Sequence, residues 1–179
     1  MTQPLSDAAL CAAPLPRAPG FAARSAAIIA AAHILLPSLE AGHRIETAQL
    51  SEAMTQAFGG TDAQGAWDWK SAYDACEAAQ ILFLDKYSAA LSGRCAPSEL
   101  TLIERVAALL PTHTRRSEAS QALQQFSTPA GLAFVAATAA GLNRDDRLLE
   151  PSAGTGMLAI HAKLPQARIT LLSLIHISE

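Results

Sequence analysis

The stretch Leu148-Leu149-Glu150-Pro151-Ser152-Ala153-Gly154-Thr155-Gly156 decides the fold class of this chain. A short apolar run, closed by a carboxylate, leads into a loop of small residues, the pattern of a buried strand followed by a turn into a helix. Such units build parallel α/β sheets, and several of them are needed for a domain. Because the stretch lies near the end of the 179 residues, we expect the chain to begin an α/β domain without completing it.

The residues around this stretch predict the order helix, strand, loop, helix, strand. Thr128 is the predicted N-cap of the first helix and Pro129 its first helical residue, because these residue types favour those positions. Gly141 is the predicted end of that helix. The strands are predicted over 147–150 and 168–172, and the second helix over 156–163.

The part of the chain before this unit is predicted to be mainly helical. Half of the residues are apolar but only 5% are aromatic, which favours helices packed through alanine. Helices are expected over 21–41, over 47–58 with Thr47 as N-cap, from Thr61-Asp62 onward, and over 97–110. In the third of these, six residues share one face and predict a core stripe: Tyr73, Cys76, Gln80, Phe83, Leu84 and Tyr87.

Composition shifts divide the chain into five parts. We expect a disordered leader over 1–20, a helical module over 21–110 and a polar linker over 111–123. The α/β domain would begin at 124 and extend to 173. Residues 174–179 resemble translated adapter sequence, and we expect this tail to be non-native.

The charge of the chain restricts its partners. A formal net charge of −3 gives no general attraction to nucleic acid, so any such contact needs a local patch. Arg115-Arg116 in the linker could contact phosphates, although a solvated pair is the simpler interpretation. Trp67-Asp68-Trp69-Lys70 could stack on bases, but the two tryptophans are better explained as core anchors.

The cysteines and the apolar segments indicate a cytoplasmic protein. Cys11, Cys76 and Cys95 are spaced neither as zinc ligands nor as a disulfide framework, so reduced thiols are expected. The apolar run from Ala26 to Leu36 is shorter than the roughly 20 residues that span a bilayer. It predicts a buried helix and no membrane contact.

Three ligand classes use a strand, a glycine loop and a helix. A phosphate-binding P-loop is excluded because Met157 and Leu158 follow the last glycine in place of Lys and Ser/Thr. A dinucleotide site would use Gly154, Gly156 and Ala159, but the acidic residue expected about 20 positions on is absent. The cationic cofactor S-adenosylmethionine favours a carboxylate at the end of the strand. Glu150 supplies one, and the glycines let the backbone approach.

The same loop resembles motif I of class I S-adenosylmethionine-dependent methyltransferases, in the form common among DNA adenine methylases. Phe126-Ser127-Thr128-Pro129 resembles the cofactor-binding motif that precedes motif I in those enzymes. More narrowly, the chain is similar to the N-terminal region of bacterial and phage proteins that join a methyltransferase-like domain to a strawberry notch-type helicase. Three segments carry this narrower resemblance: 67–70, 109–117 and 124–129.

The resemblance implies a Rossmann-like α/β fold, of which this chain would hold the first βαβ unit behind a helical region. It implies that the glycine-loop residues border the methionine and adenosine of S-adenosylmethionine, while the second motif closes the other side. The implied cofactor-binding residues are Phe126, Ser127, Thr128, Pro129, Glu150, Pro151, Ser152, Ala153, Gly154, Thr155 and Gly156. In the intact parent, DNA and a helicase domain in the same chain would be the partners.

The sequence departs from the family at two places. Leu171-Leu172-Ser173-Leu174 stands where the family has an acidic residue for the ribose hydroxyls, and the catalytic Asn/Asp-Pro-Pro-aromatic motif does not occur. We therefore expect a truncated fragment of an N6-adenine-type methyltransferase and helicase protein, with weak cofactor binding, no catalytic or metal-binding residue and no methyl transfer.

Two other functions are left open. The first is a helical nucleic-acid-binding or interaction module without enzymatic activity. The second is a fragment of an NAD-binding oxidoreductase, disfavoured by Glu150-Pro151 where that fold turns tightly off an apolar strand. The sequence gives no oligomeric state.

Overall fold

A computed structural model gives the fold over residues 20–92, 94–112, 127–163 and 166–172. This part of the chain is mainly helical and carries a parallel two-stranded sheet. The predicted combination of a helical region with a βαβ unit is confirmed at this level. The described residues do not include Phe126, the predicted tail, or most of the predicted leader and linker.

The first part consists of α1 (Phe21–Glu40), α2 (Thr47–Phe58), a 3-10 helix (Asp62–Gln64), α3 (Trp69–Lys86), α4 (Ser88–Ser92) and α5 (Ala96–Ala107). The second part consists of α6 (Ala130–Ala140), β1 (Arg147–Glu150), α7 (Met157–Lys163) and β2 (Arg168–Leu171). The short helix α4 was not predicted from the sequence.

Three helix starts in the first part differ from prediction, and one of them, the start of α5 at Ala96, differs by one residue. Thr47 is the first helical residue of α2, and Glu46 is its N-cap, without a side-chain hydrogen bond. Thr61 does cap a helix, but it is the 3-10 helix, through a reciprocal capping box with Gln64. The main helix α3 begins only after Asp68, whose carboxylate accepts the Ser71 N–H at 2.7 Å.

The α6 helix also begins one residue later than predicted. Pro129 is the N-cap, with φ −55° and ψ 138°, so Thr128 does not cap the helix. The Pro129 carbonyl accepts the first helical bond, from Ala133 N–H, at 3.0 Å. Gly141 ends α6 with φ +61°, as predicted.

Helix α5 and strand β2 both end earlier than predicted. The regular part of α5 ends at Ala107, and the following N–H groups of Leu109 and Leu110 make tighter i→i−3 bonds to Val106 and Ala107. Strand β2 ends at Leu171, one residue early.

The first buried cluster lies between α1, α2 and α3. Its largest fully buried side chains come from all three helices and the loop before α2. These side chains are Leu35, Leu39, Ile45, Leu50, Met54 and Cys76. Trp67 is a buried member of this cluster, and its indole N–H donates a hydrogen bond to the Gly60 carbonyl at 3.0 Å.

Helix α1 is only partly the buried helix that we predicted. It buries one face, while Ile29 and Ile34 on the other are exposed. By length and composition, Ala22–Glu40 qualifies as a candidate membrane span, a criterion that core helices also meet. In this structure the segment packs against α2 and α3.

The second buried cluster joins the end of α3 to α5, α6 and α7, and it supports the sheet. Its buried members are Leu84, Leu91, Ile103, Ala130, Ala133, Phe134, Met157 and Ile160. The predicted α3 stripe is confirmed, because four of its six residues are buried and Phe83 and Tyr87 are half-buried. Helix α3 thus contributes to both clusters and connects them.

Candidate functional site

The candidate site lies at the carboxyl edge of the parallel sheet. β1 and β2 pair in register from Arg147 opposite Arg168 to Glu150 opposite Leu171. Beyond the strands, Leu172 N–H donates to the Glu150 carbonyl at 2.8 Å, and Ala153 N–H donates to the Leu172 carbonyl at 2.9 Å. These bonds hold the glycine loop against the end of β2. In parallel sheets this edge is where ligands bind.

The two glycines allow the loop to turn into α7. Gly154 has φ +51° and Gly156 has φ +97°, conformations that residues with a Cβ rarely adopt. A Cβ added at Gly156 would meet no atom within 4 Å, so its glycine is required by conformation rather than by space. The Gly156 carbonyl accepts the Ile160 N–H at 3.0 Å, the first bond of α7.

The carboxylate predicted for the site turns back onto the loop. Glu150 is half-buried at the end of β1, and its Oε1 accepts the Ser152 N–H at 3.1 Å. Pro151 and Ser152 are exposed, whereas Ala153 is half-buried. The edge of the sheet therefore carries one negative charge beside a backbone loop with little side-chain bulk.

The second predicted motif lies at the same end of the structure. The Phe134 ring of α6 meets the His161 ring of α7 edge-on at 5.6 Å, and one turn earlier Ala130 and Met157 share the second cluster. The two helices thus run parallel, with their N-termini at the end that carries the glycine loop. Ser127, Thr128 and Pro129 are exposed just before α6. Phe126 lies outside the described residues.

Sequence reasoning missed one residue at the loop, Glu77. This side chain projects from the middle of α3, is 6% exposed, and accepts a hydrogen bond from the Thr155 hydroxyl at 2.8 Å. The sequence signal was a lone carboxylate among small residues from Ala75 to Ala79. A buried carboxylate needs a partner, which is the clue that could have identified it.

The end of β2 offers no acidic group among the described residues. Leu171 and Leu172 stand there, each half exposed. An apolar surface therefore lies next to the loop.

The Trp67–Lys70 segment is not an exposed stacking site. Trp67 is buried, and its ring meets the Trp69 ring edge-on at 5.5 Å. Lys70 pairs with Asp74 at 2.9 Å. The core-anchor interpretation is correct for Trp67.

Neither thiol of the described residues points to a metal site. Cys76 and Cys95 are unbridged, and the described ranges contain no group of three His, Cys, Asp or Glu side chains placed to hold a metal ion. Burial, with the Glu77 carboxylate as a second cause, raises the pKa of the Cys76 thiol to about 12. Cys76 is thus a core residue.

His161 is a buried neutral histidine in α7. Neither ring nitrogen has a hydrogen-bond partner among the described residues, and burial lowers the pKa of the imidazole to about 4. Its ring packs on Phe134. A histidine that stays neutral in the folded state destabilises that state at any pH where the unfolded chain binds a proton on its imidazole.

We therefore expect His161 to make the protein less stable in mild acid. Between about pH 6.5 and pH 4 the unfolded imidazole binds a proton that the folded one does not, so stability falls as the pH falls. Urea unfolding at pH 7 and pH 5 should show a loss on the order of 1–2 kcal/mol that His161→Leu removes. His33→Leu, at an exposed site of α1, is the control. Equal pH dependence in wild type and His161→Leu would contradict this expectation.

The candidate site thus consists of the Glu150 carboxylate and the glycine loop at the carboxyl edge of the parallel strands, and the Glu77 carboxylate of α3 contacts this loop. Comparison with known proteins returned no matching family model, no similar curated sequence and no similar solved structure.

Proposed function

We propose that the carboxyl edge of β1 is part of an S-adenosylmethionine site, and that the chain is a portion of a DNA-directed methyltransferase with a Rossmann-like fold. One observation carries the proposal: the Glu150 carboxylate closes β1 and bonds to a loop that contains two positive-φ glycines. A carboxylate at this place suits a ligand with a positive charge better than it suits a phosphate.

The described residues fit the methionine half of the cofactor. Glu150 would pair with the ammonium group, and Gly154 and Gly156 would let the ligand lie against the backbone. Ser127, Thr128 and Pro129, at the same end of the α6–α7 pair, would border the other side. When bound, the cofactor supplies an electrophilic methyl group. The protein residues bind and orient it.

The ribose half of the cofactor fits less well. Its hydroxyl groups would face Leu171 and Leu172, which cannot accept hydrogen bonds through their side chains. We therefore expect weak binding, with a dissociation constant on the order of 1 mM. The acceptor, an adenine N6 in DNA, and a helicase domain in the same chain follow from the family resemblance alone. No catalytic residue is assigned.

Saturation-transfer NMR on the 179-residue chain tests the proposal, because this method detects weak ligands. S-adenosylmethionine should receive saturation most strongly at its methionine protons. Glu150→Gln should weaken binding roughly three- to tenfold, because it removes the charge that pairs with the ammonium. Glu52→Gln, on the exposed face of α2, is the matched control and should bind as wild type does.

Three results would contradict the proposal. They are no saturation transfer from the wild-type chain, unchanged binding by Glu150→Gln, and stronger saturation of NAD than of S-adenosylmethionine. Salt-dependent binding of a DNA duplex without a cofactor signal would instead favour the helical nucleic-acid-binding module.

A further inference from the structure

Helix α3 contacts the loop–α7 segment at both ends. Thr155 Oγ1 donates to Glu77 Oε2 at 2.8 Å, and Lys163 Nζ pairs with Asp85 Oδ1 at 2.7 Å. Both pairs join residues 78 positions apart in the sequence, so α3 and α7 run parallel and side by side. The first contact lies at the glycine loop and the second at the far end of α7.

The two contacts differ in their surroundings. Lys163 and Asp85 are 60% and 42% exposed, which makes their ion pair weak in water. Glu77 is buried and Thr155 half-buried, so their hydrogen bond is charge-assisted and shielded from solvent. The contact at the loop is therefore the one that can fix a geometry.

The two glycines make the loop flexible, so this contact restricts its backbone. Thr155 lies between two glycines at positive φ, and glycine has more backbone freedom than any other residue. Backbone bonds hold Ala153 to Leu172 and Gly156 to Ala153. The Thr155 hydroxyl adds a side-chain attachment between them, to a helix that is itself fixed in both buried clusters.

We propose that Glu77 is a positioning residue, which holds the glycine loop of the S-adenosylmethionine site in its ligand-ready geometry through the Thr155 hydroxyl. This inference rests on the proposed function, because it assigns a role toward that ligand. Glu77 acts through Thr155 and is not a catalytic residue. The helical module then forms part of the cofactor site rather than a separate attachment to it.

Substitutions of Thr155 test the inference with little change in volume. Thr155→Val removes the donor, and Thr155→Ser restores it. Lys163→Gln, which breaks the exposed pair at the other end of α7, is the matched control. Two measurements are made on the full chain: hydrogen–deuterium exchange of the loop amides over 152–157, and saturation transfer from S-adenosylmethionine.

Thr155→Val should speed exchange of the loop amides about tenfold, the effect of losing one hydrogen bond to a charged group, while amides of α1 stay unchanged. It should also weaken S-adenosylmethionine binding roughly three- to tenfold. Thr155→Ser should restore the wild-type exchange rate of the loop amides, and Lys163→Gln should behave as wild type in both measurements. Rescue by serine distinguishes a positioning role from the filling of space, because serine lacks the methyl group.

Each contrary result has a separate meaning. If Thr155→Val leaves loop exchange or cofactor binding unchanged while the wild-type chain binds, the positioning role of Glu77 is wrong and the proposed function stands. If Lys163→Gln matches Thr155→Val in both measurements, general attachment of α7 explains the data and the proposal fails. A wild-type chain with no cofactor signal overturns the proposed function, and the role of Glu77 toward that ligand with it.

Discussion

Phe134→Ala is expected to lower the free energy of unfolding by about 3 kcal/mol, the cost of removing a buried aromatic ring. Phe134 is 8% exposed, lies in the second cluster and packs edge-on against His161. Its loss would leave a cavity between α6 and α7, the two helices whose N-termini border the candidate site. Urea unfolding followed by circular dichroism measures the change.

The neighbouring residue supplies the control for Phe134. Val135 is 47% exposed, so Val135→Ala should cost less than about 1 kcal/mol. The S-adenosylmethionine signal should weaken with Phe134→Ala and stay unchanged with Val135→Ala, because only the first loosens the support of the glycine loop. Equal destabilisation by the two variants would show that α6 is not packed as described.

Leu35→Ala is expected to cost about 3 kcal/mol in the first cluster. Leu35 is fully buried in the cluster that α1 forms with α2 and α3, where close packing leaves the neighbouring side chains little room to fill the space. Ile34→Ala, at a position 37% exposed, should cost less than half as much. Trp67 belongs to the same cluster and Trp69 packs against it, so tryptophan fluorescence follows the unfolding of this cluster directly.

Leu35→Ala and Phe134→Ala, one in each buried cluster, together test whether the two clusters unfold in one transition. Helix α3 supplies Cys76 to the first cluster and Leu84 to the second, so a single cooperative transition is expected in both variants. Tryptophan fluorescence and circular dichroism should give the same midpoint. Separate midpoints in Leu35→Ala would show that the βαβ unit stays folded when the first cluster is lost.

Local patterns predicted the elements well and their starts less well. The order of helices and strands around the glycine loop follows from apolar periodicity and from turn residues, and Gly141 ends its helix as predicted, with φ +61°. Helix starts were less predictable, because a Thr before a helix and a Pro at its start each fit two adjacent positions. Thr47 was predicted as an N-cap and is the first helical residue of α2, whereas Pro129 was predicted as the first helical residue of α6 and is its N-cap.

The candidate site shows the same division. Glu150 and the two glycines were predicted from the sequence to lie in one loop after a strand, and they do. Their role toward a ligand stays a prediction. Glu77 was not identified, because its partner Thr155 is 78 residues away and no local pattern links them.

The sequence by itself therefore determined the main helices and both strands, and where a glycine loop follows a strand, since these depend on neighbouring residues. Only the tertiary structure decided that α3 lies beside α7, with a buried carboxylate at the loop. That arrangement depends on the packing of two clusters whose members are distant in the chain, and side-chain burial at such contacts is a property of the whole fold.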